Sequence, residues 1–214
     1  MKKKIIQRSF KPECLFVPRN FVKPQISPKQ YLEIGAGKGM HAMQFAEANP
    51  DKHLIAIERT RGKFDVFAER AKDLGRENLL PVHADAIPWV AHALPPFCLD
   101  GVFLLYPNPE PKNASQRWLN MPFFEFLLSR MKPSASLVLA TNIQAYADEA
   151  EELAHDAWSL MVKRTEVPKS SARTHFEIKY LERGEVCHQL VLTKGEGYQT
   201  RFDTWAFKPE LQQV

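Results

Sequence analysis

From residue 31 onward the chain alternates short apolar runs with longer helical stretches, and this alternation constrains the architecture more than any other feature. Residues 31–34, 53–57, 79–83, 99–105 and 136–140 have the length and composition of buried strands. Between them lie segments of helical character: one reaching Ala48, then 61–74 closed by Gly75, then 121–131, then 144–160 with its acids Asp148, Glu149, Glu151 and Glu152. Parallel neighbours need a crossover connection, and helical crossovers cover the sheet faces. Two later runs, 174–181 and 185–193, are joined by Arg183-Gly184 and predict an antiparallel hairpin. The expected fold class is therefore α/β: a doubly wound, mostly parallel sheet with a C-terminal antiparallel hairpin. Ligands of such sheets sit beyond the C-terminal ends of the strands, so the residues following each strand are the candidates for a site.

The first thirty residues differ in kind. They carry eight lysines and arginines (Lys2, Lys3, Lys4, Arg8, Lys11, Arg19, Lys23, Lys29) against the single acid Glu13, although the whole chain has a net charge of only +4. Pro12, Pro18, Pro24 and Pro28 argue against regular structure there. The expected organisation is a basic, proline-containing arm over residues 1–29 and one domain over 30–214. A basic arm suits either a phosphate backbone or a solvated tail. No stretch nears the roughly 20 apolar residues of a membrane span, and the basic start runs into Gln7 after two apolar residues, too few for a signal sequence. Cys14, Cys98 and Cys187 are scattered and make neither a disulfide framework nor a metal-binding spacing. No metal site is expected, and the expected location is the cytoplasm.

The first strand leads into Glu33-Ile34-Gly35-Ala36-Gly37-Lys38-Gly39-Met40. A dinucleotide fingerprint places its third glycine one position later, and a P-loop needs Ser or Thr after Gly-Lys. An acid followed by three alternate glycines is instead the pattern of S-adenosylmethionine (SAM) sites in Rossmann-like methyltransferases. SAM carries a sulfonium and an ammonium, which the carboxylate of Glu33 suits. Gly35, Ala36, Gly37 and Gly39 would let the backbone approach the ligand. Glu58, closing the second strand, is placed to accept from both ribose hydroxyls. Asp85, with Ala86 behind it, follows the third strand and is placed to accept from the adenine amine.

Residues 31–193 resemble the bacterial tRNA (guanine-N7-)-methyltransferase family. The resemblance rests on an ordered set: Leu32 to Gly39, Asn49-Pro50-Asp51, Ile55 to Glu58, Asp85-Ala86, Pro107-Asn108-Pro109-Glu110-Pro111-Lys112, Thr141-Asn142, and Thr174-His175-Phe176-Glu177-Ile178-Lys179-Tyr180. It implies SAM as cofactor, tRNA as partner and methyl transfer to guanine N7. It implies a catalytic position at Asn108, which would also border the cofactor. It places Lys112, Asn142, Thr174, Phe176 and Glu177 on the substrate, with Glu177 accepting from the amine of an extruded guanine. Three features depart from the family: amides at Asn108 and Asn142 replace its aspartates, and Asn113-Ala114-Ser115-Gln116-Arg117-Trp118 replaces its basic run. On this reading Asn108→Asp would raise guanine methylation. His41 and His175 are further candidates to face the site.

Two other functions fit the same residues. One is a SAM-dependent transferase acting on another nucleobase, a protein or a small molecule. The other is a SAM- or RNA-binding protein without catalysis. Either a monomer or a homodimer is compatible with the sequence.

Overall fold

The computed structural model describes residues 9–206. Seven strands form one sheet in the order β3-β2-β1-β4-β5-β7-β6. They are β1 (Gln30–Ile34), β2 (His53–Glu58), β3 (Leu79–His83), β4 (Leu99–Leu105), β5 (Met131–Thr141), β6 (Met161–Glu166) and β7 (His188–Thr193). The first five run parallel, and β7 is antiparallel to both β5 and β6. The strand order reverses between β1 and β4, which opens a crevice at their C-terminal ends.

Successive residues of a strand point to opposite faces, and β2 shows the consequence. Leu54 and Ala56 join a cluster with Ala42 and Ala46 of α1 (Met40–Ala48) and Phe67 of α2 (Arg61–Leu74). Ile55 and Ile57 join a larger cluster on the other face. That cluster includes Trp89 of α3 (Ala86–Ala93), Phe124 of α4 (Phe123–Arg130) and Ala147 of α5 (Gln144–Asp156). Gly39 sits between α1 and α2 at φ +78°, where a Cβ would lie 1.9 Å from the Phe67 ring. Close helix packing therefore requires glycine there.

The hairpin expectation is corrected in its members. Residues 175–182 are a helix, α6 (His175–Glu182), and not a strand. Thr174 caps it, its hydroxyl accepting from the Glu177 N–H at 3.0 Å. This is a Thr-x-x-Glu capping arrangement, which overrode the polar–apolar alternation. β7 pairs antiparallel with β5 on one side and on the other with β6, a largely exposed edge strand. The helix expected over 144–160 stops at Asp156, which frees the chain for β6, and α3 had no counterpart in the sequence reading.

Residues 9–29 lie along the body with one short 3-10 turn, Pro12–Cys14. Phe10 packs against Phe123, Phe126 and Phe202 at ring distances of 5.7, 5.3 and 5.9 Å. The carbonyl of Leu15 meets His92 Nε2 at 3.0 Å. Lys2, Lys3, Lys4 and Arg8 fall outside the described residues. The C-terminal segment is held by buried cations. The Arg130 guanidinium donates to the carbonyls of Leu94, Phe202 and Trp205, and burial lowers its pKa to about 10. Among the described residues no helix is long and apolar enough to cross a membrane, and no cluster of three potential metal ligands occurs. The three cysteines are free thiols.

Candidate active site

A cleft of about 910 Å³ opens over the C-terminal ends of β1, β2, β4 and β5. Its floor is the turn after β1. The N–H groups of Gly35 and Ala36 both donate to the Ile57 carbonyl, at 2.8 and 3.0 Å, which ties the turn to β2. Gly37 has φ +59°, a conformation that side-chain-bearing residues avoid, and nothing stands where its Cβ would be. The turn therefore offers bare backbone to the cleft.

Three carboxylates stand around this floor. Glu33, 2% exposed at the end of β1, has Oε2 2.9 Å from Nδ1 of His41 on the first turn of α1. Glu58 at the end of β2 accepts from the Gly37 N–H at 2.9 Å and from the Thr60 N–H at 2.6 Å. Asp85 caps α3, accepting from the Ile87 N–H at 2.9 Å. A carboxylate offers about four lone-pair positions, so each of these oxygen pairs can accept further bonds from a ligand. Ala86 lines the same wall. Bare backbone beside three carboxylates fits a ligand that carries two cationic groups and hydroxyl donors, as SAM does.

The opposite wall begins at β4. Tyr106 follows the strand at φ +53°, an unusual conformation for a tyrosine. Its hydroxyl donates to Glu177 Oε2 at 2.8 Å. Burial, then hydrogen bonds to Cys187 and Glu177, push the phenol far above its ordinary pKa. Asn108 lines the cleft and donates through Nδ2 to Glu110 Oε1 at 2.8 Å. Asn142, also on the cleft, donates through Nδ2 to Glu185 Oε2 at 2.7 Å. Both amides thus lie against a glutamate carboxylate. Asn108→Asp would place two negative groups in contact, which removes the ground for expecting a gain from that substitution. Thr174, His175 and Phe176 bring the start of α6 to the cleft, and the Phe176 ring is stacked 6.1 Å from Tyr180.

Three expected site residues lie elsewhere. Gly39 is committed to the Phe67 contact and does not line the cleft. Lys112 is exposed beyond the cleft wall. Glu177 is fully buried beneath the wall, accepting from Ser171 Oγ, the Arg173 N–H and guanidinium, and Tyr106. Burial alone would raise its carboxyl, but the hydrogen bonds from Arg173, Ser171 and Tyr106 outweigh it and hold the pKa at about 2. The strand that would have exposed Glu177 is a helix whose buried side holds it. Arg117, the surviving arginine of the 113–118 segment, donates to the Pro109 carbonyl at 2.7 Å and pairs with Glu149 of α5. Its charge closes the loop onto α5.

The sequence reading assigned no role to Tyr106, Glu110 or Arg173, although Glu110 lies within the 107–112 motif. Tyr106 and Glu110 flank the amide at 108, but their positive φ values have no sequence signature. The acid–arginine pair of Glu177 and Arg173 is visible as i,i+4 spacing only once the helix start is known.

A family model described as "Putative methyltransferase" matches residues 27–190. A tRNA (guanine-N(7)-)-methyltransferase of Nitrosospira multiformis is 30% identical, over 80% of this chain and 77% of its own length. One from Halorhodospira halophila is 31% identical, over 81% of this chain and 75% of its own. Among solved structures, a SAM-dependent methyltransferase from Aquifex aeolicus superposes with a TM-score of 0.56 at 17% identity, covering 79% of this chain and 84% of that one. A precorrin-6y C5,15-methyltransferase from Geobacter metallireducens gives 0.57 at 16% identity, covering 81% and 82%. At those identities the structures speak for the Rossmann-like methyltransferase fold alone.

Proposed function

The chain belongs to the tRNA (guanine-N(7)-)-methyltransferase family, and from that premise we propose that it methylates N7 of a guanine in tRNA. It is a SAM-dependent methyltransferase. The observation that carries the reading of the site is the two-walled cleft. One wall is bare glycine backbone with three carboxylates, and the other brings aromatic rings, amides and the carboxylate of Glu110. SAM, when bound, supplies an electrophilic methyl group on a sulfonium.

Glu33, Gly35, Ala36, Gly37, Glu58, Asp85 and Ala86 would hold the cofactor. Glu58 suits the ribose hydroxyls, because its carboxylate is already fixed by two backbone N–H groups. Asp85 suits the adenine amine, since its place at the start of α3 fixes its direction. Glu33, close to the turn, suits the ammonium of the methionine end. Gly39 acts indirectly, through the packing that sets the turn.

On the other wall, Asn108, Asn142, Thr174 and Phe176 would meet the guanine. Phe176 is 46% exposed and offers a face for stacking an extruded base. Glu177 supports this wall from beneath, through Tyr106. Lys112, exposed beyond the cleft wall, would meet a phosphate of the bound tRNA. Guanine N7 has its own lone pair and no proton to lose, so the chain need not supply a base. Its contribution is alignment, which in favourable cases lowers a barrier by about 7–11 kcal/mol. The working location for such a protein is the cytoplasm, and the exposed Lys11, Arg19 and Lys23 of the arm would meet tRNA phosphates.

Incubation of the full chain with methyl-labelled SAM and separate pools of tRNA and cellular protein tests the acceptor class. Label in tRNA is the expected result. Label confined to protein would move the assignment to a transferase of another acceptor.

A further inference from the structure

We propose that Glu110 is the carboxylate that meets the acceptor base, with Asn108 as the positioning residue that holds it; this rests on reading the cleft as a guanine-N7 site. Four acids line the cleft among the described residues: Glu33, Glu58, Asp85 and Glu110. The first three follow β1, β2 and β3 and are engaged with His41, with the Gly37 and Thr60 N–H groups, and with the Ile87 N–H. Those strands form one half of the sheet, β3-β2-β1, on the cofactor side of the reversal point. Glu110 alone stands on the β4 side.

Its geometry is set by two local features. The chain passes through Pro109-Glu110-Pro111 with Glu110 at φ +45°, a left-handed conformation that side-chain-bearing residues rarely adopt. The side chain turns back onto Asn108, whose Nδ2 donates to Oε1 at 2.8 Å. An amide suits this position because it restrains the carboxylate without neutralising it, whereas an ion pair with lysine or arginine would cancel its charge. One bond occupies one of roughly four acceptor positions, so the carboxylate keeps capacity for a substrate. A similar amide–glutamate pair follows β5, Asn142 with Glu185, but Glu185 does not line the cleft. The assignment therefore falls on Glu110.

The chemistry gives this carboxylate a role. As the bond from N7 to the methyl carbon forms from the ring lone pair, the carbon–sulfur bond breaks and its electron pair stays on sulfur. No proton moves, and the guanine ring becomes cationic. Its N1–H and exocyclic N–H donors become more acidic, so a carboxylate accepting from them binds the transition state more strongly than the ground state. Glu110 supplies a negative charge at that edge, which neutral Asn108 does not.

The test uses the full chain, tRNA and labelled SAM, with kcat and KM for 7-methylguanosine formation and calorimetric binding of S-adenosylhomocysteine. Glu110→Gln is expected to lower kcat about 100-fold, the scale of removing one aimed electrostatic group, while S-adenosylhomocysteine binding stays within about twofold. Asn108→Asp is expected to lower kcat about tenfold, and to raise the pH of the acid limb of its rate profile, because two carboxylates in contact do not both stay ionised. The double variant Asn108→Asp/Glu110→Gln, which exchanges the amide and the carboxylate, is expected to recover most of the loss in Glu110→Gln. Glu110→Gln with the wild-type kcat would overturn the assignment. So would a double variant no better than Glu110→Gln, or a loss of S-adenosylhomocysteine binding in Glu110→Gln. If the wild-type chain itself forms no 7-methylguanosine, the guanine-N7 reading fails, and the role of Glu110 fails with it.

Discussion

The Glu58 carboxylate accepts a hydrogen bond from the backbone N–H of Gly37 at 2.9 Å, joining the end of β2 to the glycine turn after β1. The same side chain takes the Thr60 N–H at the start of α2, so one buried acid organises two backbone segments of the cofactor wall. Glu58→Ala removes the acceptor of both N–H groups together with the acceptor for a ribose. The expected loss in SAM binding is about 1–3 kcal/mol, roughly fivefold to 150-fold in Kd by isothermal calorimetry. Wild-type affinity in a folded Glu58→Ala protein would remove Glu58 from the cofactor site.

Gly39 tests the packing beneath the turn. At φ +78°, with a Cβ position 1.9 Å from the Phe67 ring, Gly39→Ala brings both backbone strain and a steric clash. We expect a loss of about 2–4 kcal/mol in urea unfolding, combining the left-handed conformation and the overpacking. Gly39→Ala/Phe67→Leu should recover part of the steric share and none of the conformational share. Equal stability of Gly39→Ala and wild type would show that the helices separate easily at this point.

Glu177 gives the fold a pH dependence whose sign follows from its hydrogen bonds. Its pKa in the folded chain is about 2, below the ordinary 4.5. Its stabilisation is therefore complete above pH 4.5 and is lost as the pH falls toward 2. At about 1.4 kcal/mol per pH unit, the effect is about 3 kcal/mol. Glu177→Gln should be less stable than wild type at pH 6, and the difference should shrink at pH 3. A difference independent of pH would mean that the carboxylate charge contributes little.

The arm separates into a seated part and a basic start. Phe10 is packed among Phe123, Phe126 and Phe202, so Phe10→Ala should cost about 2 kcal/mol in thermal unfolding, less than a fully buried phenylalanine. Removing residues 1–8 takes away Lys2, Lys3, Lys4 and Arg8 without touching Phe10. If these cations meet phosphates, the slope of log affinity for tRNA against log salt should flatten by about 0.7–0.9 for each phosphate no longer neutralised. An unchanged slope would leave these residues without a role in RNA binding.

Much of this architecture was legible because the central parallel strands bury both faces and write largely apolar runs, while the edge strand β3, half exposed, is still apolar at Leu79, Leu80 and Val82. The runs at 53–57, 79–83 and 99–105 lie within β2, β3 and β4, which extend no more than one residue beyond them. The acids after β1, β2 and β3 were legible for the same reason, since each follows a recognisable strand. Residues 174–181 misled because polar and apolar residues alternate there, while the competing Thr174-x-x-Glu177 signal occupies only the first turn. β6 was missed because an edge strand with polar Lys163, Arg164, Thr165 and Glu166 buries too little to stand out. The burial of Glu177 depends on Tyr106 and Arg173 closing over it, which is a property of the folded chain.

Whether this cleft methylates guanine N7 in tRNA is read from the nucleoside composition of tRNA after reaction with methyl-labelled SAM. The label is expected to co-elute with 7-methylguanosine. Label in any other nucleoside, or none in tRNA from a protein shown to bind SAM, would contradict that reading.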